Sequence, residues 1–204
     1  MNEQKEKQLM NKIIIALVGK AGSGKDTIAS ALKAQRPEWN MIVSCTTRPM
    51  REGEQEGVNY YYLTNEEFAA KVLNGDMLEV TYFNNWHYGA AKSCLKDGIN
   101  IGVFNPEGFD CLRETQSYDN EITVIGFYVD CEDKLRMLRQ LSRESSPDVE
   151  EICRRFFADL EDFEDVVADI EAYGLKYTKN NTLVDLEDTI AYIQQVVNNL
   201  VSPD

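Results

Sequence analysis

No apolar run in the sequence reaches the roughly 18 to 20 residues that a bilayer span needs, so no transmembrane helix is expected. The first ten residues, Met1 to Met10, are polar and charged and lack the apolar stretch of a secretory signal. Cysteine is sparse: Cys45, Cys94, Cys111, Cys131 and Cys153 are odd in number, widely spread, and contain no Cys-x-x-Cys pair. A disulfide framework or zinc site is therefore not expected, and reduced thiols in a cytoplasmic protein fit best. Positive charge is also scarce, 21 Lys and Arg against 35 Asp and Glu, a net of −14. A nucleic-acid polymer requires a basic face and is excluded as a partner on that ground.

What is present suits one packed domain of 204 residues, 43% of them hydrophobic, with room for small insertions. The acidic excess is uneven. Residues 1–60 carry nine Lys and Arg against seven Asp and Glu, whereas the rest carries twelve against twenty-eight. The run from Asp159 to Glu171 reads as a solvated acidic face. There is no internal repeat and no low-complexity linker.

Ile13 to Val18 is a β-branched run that stops at glycine, the pattern of a buried parallel strand. Thr27 to Ala34 reads as a helix closed by Pro37, and Met41 to Val43 as a second short strand. Asn59 to Leu63 looks like a strand, followed by a helix with Thr64 as N-cap and Glu67 closing a capping box. That helix is expected to bury Phe68, Val72 and Leu73 and to end near Asn74-Gly75. Further strands are expected at 77–83, 100–104 and 122–129, with a last one at Leu183-Val184. Ile152, Phe156, Leu160, Phe163, Val167 and Ile170 mark one face of a long helix. Asp185 is placed as the cap of a final helix whose stripe is Ile190, Ile193, Val197 and Leu200. Alternating strands and helices predict an α/β domain with a largely parallel sheet.

The segment Gly19-Lys20-Ala21-Gly22-Ser23-Gly24-Lys25-Asp26-Thr27 joins the first strand to the first helix. That is the setting Gly-x4-Gly-Lys-[Ser/Thr] requires. Its glycines let successive N–H groups point at one phosphate cluster, the helix N-terminus adds partial positive charge, and Lys25 bridges the β- and γ-phosphates. Asp26 stands where a Ser or Thr would ligate Mg²⁺. A carboxylate is itself a hard oxygen ligand, so Asp26 is assigned to the metal, with Thr27 as a second oxygen donor. The alternative is that Asp26 turns outward and only caps the helix.

A second polar cluster is Ser44-Cys45-Thr46-Thr47-Arg48-Pro49-Met50-Arg51-Glu52-Gly53-Glu54, followed by Gly57-Val58-Asn59-Tyr60. Two arginines three residues apart can grip one phosphate, and Tyr60 adds a hydroxyl. This run resembles that of guanylate kinases. So does the stretch Asn74-Gly75-Asp76-Met77-Leu78-Glu79, with Tyr88-Gly89 after it. The blocks follow the family's order over roughly residues 12 to 200, most strongly over 19–89.

The resemblance implies a three-layer P-loop kinase fold with a parallel core sheet, an inserted acceptor-binding subdomain and a short lid. The core would span 11–40 and 99–204, the insertion about 41–98, and the lid about 139–156. ATP would be the donor, Mg²⁺ the metal, and GMP or dGMP the acceptor. Arg48, Arg51, Tyr60 and Tyr88 would hold the acceptor phosphate. Glu79 would accept from guanine N1–H and the exocyclic amine, with Ser44 supporting the base. Arg136, Arg139, Arg143, Arg154 and Arg155 flank the loop Ser142 to Pro147, where the family carries lid arginines; Arg139, Arg143 and Arg155 are the register chosen, and Asn181 lies near the donor base.

Three positions depart from the family pattern. Ala90 replaces a hydroxyl residue that helps to bind guanine O6. Val103 and Asn105 replace two aspartates near the metal and acceptor, and Asn105 is retained as a base contact. The Gly-Lys-Asp-Thr loop is similar to that of some phage deoxynucleoside monophosphate kinases, which makes another or a modified deoxynucleotide an alternative acceptor. A non-catalytic guanylate-kinase-like binding module is the other alternative. His87 is expected to pack or to line the rim.

Overall fold

The computed structural model describes residues 11–51, 53–83, 85–143 and 145–201; the sequence readings that touch Met1–Met10, Glu52 and Glu144 lie outside them. The elements run β1 Lys12–Val18, α1 Lys25–Gln35, β2 Asn40–Met41, β3 Cys45–Thr46, β4 Tyr61–Tyr62, α2 Asn65–Leu73, β5 Met77–Phe83 and β6 Trp86–Ala91. After a 3-10 turn at Lys92–Cys94 come β7 Gly98–Phe104, α3 Pro106–Tyr118, β8 Ile122–Asp130, α4 Asp133–Leu141, α5 Val149–Asp162, α6 Glu164–Ala168, β9 Leu175–Lys179 and α7 Leu183–Val201. One sheet has the order β2-β7-β1-β8-β9, with the β2–β7 and β8–β9 pairs parallel. The other has the order β4-β3-β6-β5. The chain is α/β with a parallel core sheet, as the strand–helix alternation predicts.

The chain divides into two compact units. The first runs through Ile15 and includes Glu38–Gly102 and Glu107–Val124. Its four-stranded sheet is tied by an antiparallel β5–β6 hairpin that returns at Asn85, in the left-handed region at φ 65°, where asparagine is tolerated. The expected capping box opens α2: Thr64 Oγ1 accepts from the Glu67 N–H, and Glu67 accepts from the Thr64 N–H. Phe68 is buried against Cys45 and Ala91. Val72 and Leu73 are not buried, being 42% and 86% exposed, because a nine-residue helix presents only one inward turn to this small sheet. Strand β6, rich in polar and small residues, carries no alternating pattern and was not expected.

The second unit comprises Ala16–Pro37, Val103–Pro106 and the chain from Ile125 onward. The expected long helix breaks at Phe163 into α5 and α6. The break turns Val166 inward and leaves Val167 48% exposed, against the uninterrupted stripe. Leu183-Val184 is not a strand: the last strand is β9, and both residues open α7, exposed. The cap is Thr182 rather than Asp185; its Oγ1 accepts from the Asp185 N–H, while Asp185 accepts from Thr182 N–H in return. Ile190, Ile193 and Val197 face the core as expected, but Leu200 is 40% exposed near the helix end.

Candidate active site

The donor loop lies in the second unit, where β1 runs out and α1 begins. Gly22 and Gly24 have φ of 79° and 93°, a conformation that side chains resist. A Cβ on Gly24 would collide with Asn180, and one on Gly22 would sit 2.6 Å from the Arg136 carbonyl. The first intrahelical bond runs from the Ile28 N–H to the Gly24 carbonyl. The N–H groups of Lys25, Asp26 and Thr27 therefore lack helical partners, the usual feature of a helix start that receives anions. Lys25 folds back on the loop, its Nζ 2.6 Å from Gly19 O and 3.1 Å from Lys20 O. Burial pulls the Lys25 ammonium below its usual range, and the carboxylates of Asp26 and Asp159 oppose that shift.

The loop's carbonyls are held from outside. Arg136 reaches Ala21 O at 3.0 Å, Arg139 approaches Gly22 O and Ser23 O, and Asn180 Nδ2 donates to Ser23 O at 2.7 Å. Arg139, assigned to the lid, here packs under the loop with Cys131 Sγ at 3.1 Å. Arg143 is exposed, and Arg155 donates to Glu151, which also pairs with Arg154. Those two arginines draw the Glu151 carboxyl down to about 2 against its desolvation. Asn181 bonds Glu132 at the start of α4.

The loop residues fit a nucleotide's phosphates. Ser23 Oγ is fully buried and makes no hydrogen bond among the described residues, so a buried polar group there is left for an incoming partner. Asp26 and Thr27 are both exposed in the first turn of α1. Among the described residues no three His, Cys, Asp or Glu form a ready-made metal cluster. Asp26 and Thr27 are thus open oxygen donors beside the loop rather than a closed cage.

The acceptor cluster lies in the first unit and brings Arg48, Tyr60 and Tyr88 together. The Arg48 guanidinium carbon is 5.5 Å from the Tyr60 ring centre, and the Tyr60 and Tyr88 rings meet edge-on at 5.9 Å. Arg48 is 5% exposed and already engaged: Nη2 donates to both Glu54 oxygens at 2.8 and 3.0 Å, and Nη1 to Pro49 O at 2.7 Å. Glu54 also accepts from the Arg51 N–H and the Tyr62 hydroxyl. Burial pushes the Glu54 carboxyl up, but the Arg48, Arg51 and Tyr62 hydrogen bonds prevail and hold it at about 2. Glu54 and Tyr62 are site residues that the sequence reading left out, although Glu54 ends the quoted motif. With a depressed pKa the stabilisation is complete above pH 4.5 and is lost as pH falls toward 2, about 3 kcal/mol in all. Glu54→Gln is expected to lower urea-unfolding stability by that order at pH 7 and to flatten its acid limb.

Glu79 lies on β5 opposite Ala90 of β6, and it is 7% exposed. Burial pushes its carboxyl up to about 7; the Ala90 N–H opposes the shift, and the Glu107 carboxylate adds to it. Ser44 is half-buried and its carbonyl accepts from the Tyr61 N–H. Asn105 is exposed between β7 and α3 and belongs to the second unit, whereas Glu79 and Ser44 belong to the first. His87 is a packing residue, stacked on Phe68 at 5.3 Å and against Tyr82 at 4.9 Å.

Two residues of the donor region were not placed there by the sequence: Arg136, passed over for the lid, and Asp159. Arg136 is fully buried, with its guanidinium 4.8 Å from the Phe156 ring centre. Asp159, assigned to a solvated face, instead pairs with Arg136 at 2.9 Å and is 14% exposed. The signal was available: Ile152, Phe156, Asp159 and Phe163 share one helical face, so Asp159 points inward with them.

Residues 10–103 match the family model for guanylate kinase. A guanylate kinase of Chlorobium luteolum is 42% identical over 90 residues, 44% of this chain and 46% of that protein. One of Frankia casuarinae is 39% identical over 103 residues, 50% of this chain and 53% of that protein. The chain spans about half the length of the curated relatives it matches. The solved guanylate kinase of Anaplasma phagocytophilum superposes with a TM-score of 0.62 at 22% identity, covering 93% of this chain and 86% of that one. Over residues 10–103 the chain is thus similar to guanylate kinases, and its fold is similar to that of a solved guanylate kinase.

Proposed function

We propose that the chain is a nucleoside monophosphate kinase that transfers the γ-phosphoryl group of ATP to GMP or dGMP. The observation that carries this reading is a buried carboxyl, Glu79 on β5, in the four-stranded sheet whose strand β6 carries Tyr88 of the Arg48–Tyr60–Tyr88 cluster. One sheet so presents a base reader and a phosphate grip. Ionised Glu79 accepts from the paired N1–H and amine of guanine, donors that adenine lacks. Residues about 41–98 serve as the acceptor-binding insertion and about 139–156 as the lid. The names of the curated relatives support guanine over another base and a kinase over a binding module.

In this reading Lys25, the N–H groups at the start of α1 and Ser23 Oγ hold the donor phosphates. Arg51, Tyr60 and Tyr88 orient the acceptor phosphate, with Arg48 anchored by Glu54 at its base. Arg143 and Arg155 balance charge on the transferring group, Arg155 exchanging its bond to Glu151. Phosphoryl transfer needs no covalent intermediate, so the protein's work is positioning and charge stabilisation. Magnesium held through Asp26 and Thr27 would neutralise phosphate charge.

The deciding assay is ADP release from ATP against a panel of nucleoside and deoxynucleoside monophosphates. Turnover with GMP or dGMP above all others is expected; turnover with none would overturn the reading. Asp26→Ala is expected to raise the Mg²⁺ concentration needed for half-maximal rate by roughly tenfold, since an oxygen donor beside the phosphates is lost. An unchanged Mg²⁺ requirement would leave Asp26 only a capping role.

A further inference from the structure

Asp159 of α5 and Arg136 of α4 meet on one residue of the donor loop. Asp159 Oδ2 accepts from the Ala21 N–H at 2.8 Å and from Arg136 Nη1 at 2.9 Å. The same Nη1 donates to Ala21 O at 3.0 Å, so both backbone polar groups of Ala21 are held. Arg136 is fixed in turn by Asp133, at 2.7 Å from Nη2, and by the Phe156 ring. Because each peptide unit is planar, a fixed carbonyl on Ala21 aims the Gly22 N–H the opposite way. The peptide between Lys20 and Ala21 is gripped at both ends: its N–H by Asp159, its carbonyl by Lys25 Nζ and the Ser23 N–H.

We propose that the buried Arg136–Asp159 pair is a positioning element for the donor loop, keeping the Ala21 peptides aimed when Lys25 leaves the loop carbonyls for phosphate. The proposal rests on the kinase reading and deepens it. When Lys25 turns from Lys20 O to a phosphate, the carbonyl of that peptide keeps the Ser23 N–H and its N–H keeps Asp159. Asp159 is the grip on the N–H end. A generic fold-stabilising ion pair would not need to reach the Ala21 N–H at all.

The test compares Asp159→Asn with the double variant Arg136→Met/Asp159→Ala. Replacing a buried pair by apolar groups often preserves stability, so the double variant is expected to fold with a similar melting temperature. In the ligand-free chain its Ala21 amide is expected to lose at least tenfold of its hydrogen-exchange protection. Asp159→Asn, whose amide oxygen still accepts, is expected to keep most of it. The KM for ATP is expected to rise about tenfold in the double variant, with the acceptor KM within twofold of the parent. Unchanged exchange at Ala21 in a folded double variant would overturn the proposal. If the double variant does not fold, Asp159→Asn decides: retained Ala21 protection with a parental ATP KM supports the proposal, and lost protection with a parental KM overturns it. Failure of the parent chain to bind ATP would count against the kinase reading instead, and the exchange result would still decide this one.

Discussion

Lys25→Ala is expected to lower kcat/KM for phosphoryl transfer by roughly a thousandfold, about 4 kcal/mol of transition-state stabilisation. The ammonium comes from the loop's own end and lies within 3.1 Å of two of its carbonyls. Its partial burial leaves less water to compete for it, so its interaction with a phosphate is stronger than at an exposed site. Lys25→Arg is not expected to rescue the rate, since a planar guanidinium does not fit where a compact ammonium is folded against two carbonyls. The coupled ADP-release assay reads this directly. A loss smaller than tenfold in Lys25→Ala would remove the residue from the transfer step.

The second large effect concerns Glu79. Guanine needs the ionised carboxylate, and burial places the Glu79 carboxyl at about 7. Only about a tenth of it is ionised one pH unit below that value, so the KM for GMP at pH 6 is expected to be about tenfold higher than at pH 8. Glu79→Gln is expected to abolish that slope and to reduce the GMP-over-AMP preference by roughly a hundredfold or more, because an amide offers a donor where guanine also donates. The stability effect has the opposite sign. A carboxyl raised from 4.5 to about 7 costs the folded state increasingly as pH rises through that window, about 3 kcal/mol at its limit. Glu79→Gln is therefore expected to stabilise the ligand-free protein at pH 8 while degrading its selectivity. An intact guanine preference in Glu79→Gln would end the base assignment.

Local rules carried much of the fold. The Thr64–Glu67 capping box, the buried run of β1 and the glycines of the donor loop depend on neighbours in sequence, and the structure has them where expected. What failed depended on partners far along the chain. Strand β6 exists because β3 and β5 pair with it on either side, while its own residues, Trp86-His87-Tyr88-Gly89-Ala90-Ala91, show no period of two. Val166 is buried in place of Val167 because the helix breaks at Phe163, a change of phase that periodicity alone cannot place. The candidate site divides in the same way. Residues within a motif, such as Lys25, Arg48 and Tyr60, were legible; Arg136 and Asp159, 23 residues apart and each charged, looked like surface until their pairing was seen. Glu54 was overlooked because a carboxylate in a proposed phosphate site looks out of place until its pairing with Arg48 is seen.

The buried hydroxyl of Ser23 has a consequence for any attempt to evolve this chain. Buried without a hydrogen-bond partner among the described residues, it costs the fold about 1 to 3 kcal/mol when no ligand engages it. A library screened for heat resistance without nucleotide would reward alanine there early, because that selection sees only the penalty. The same library screened with nucleotide present would keep the serine. At this one position the conditions of selection decide whether robustness or binding survives.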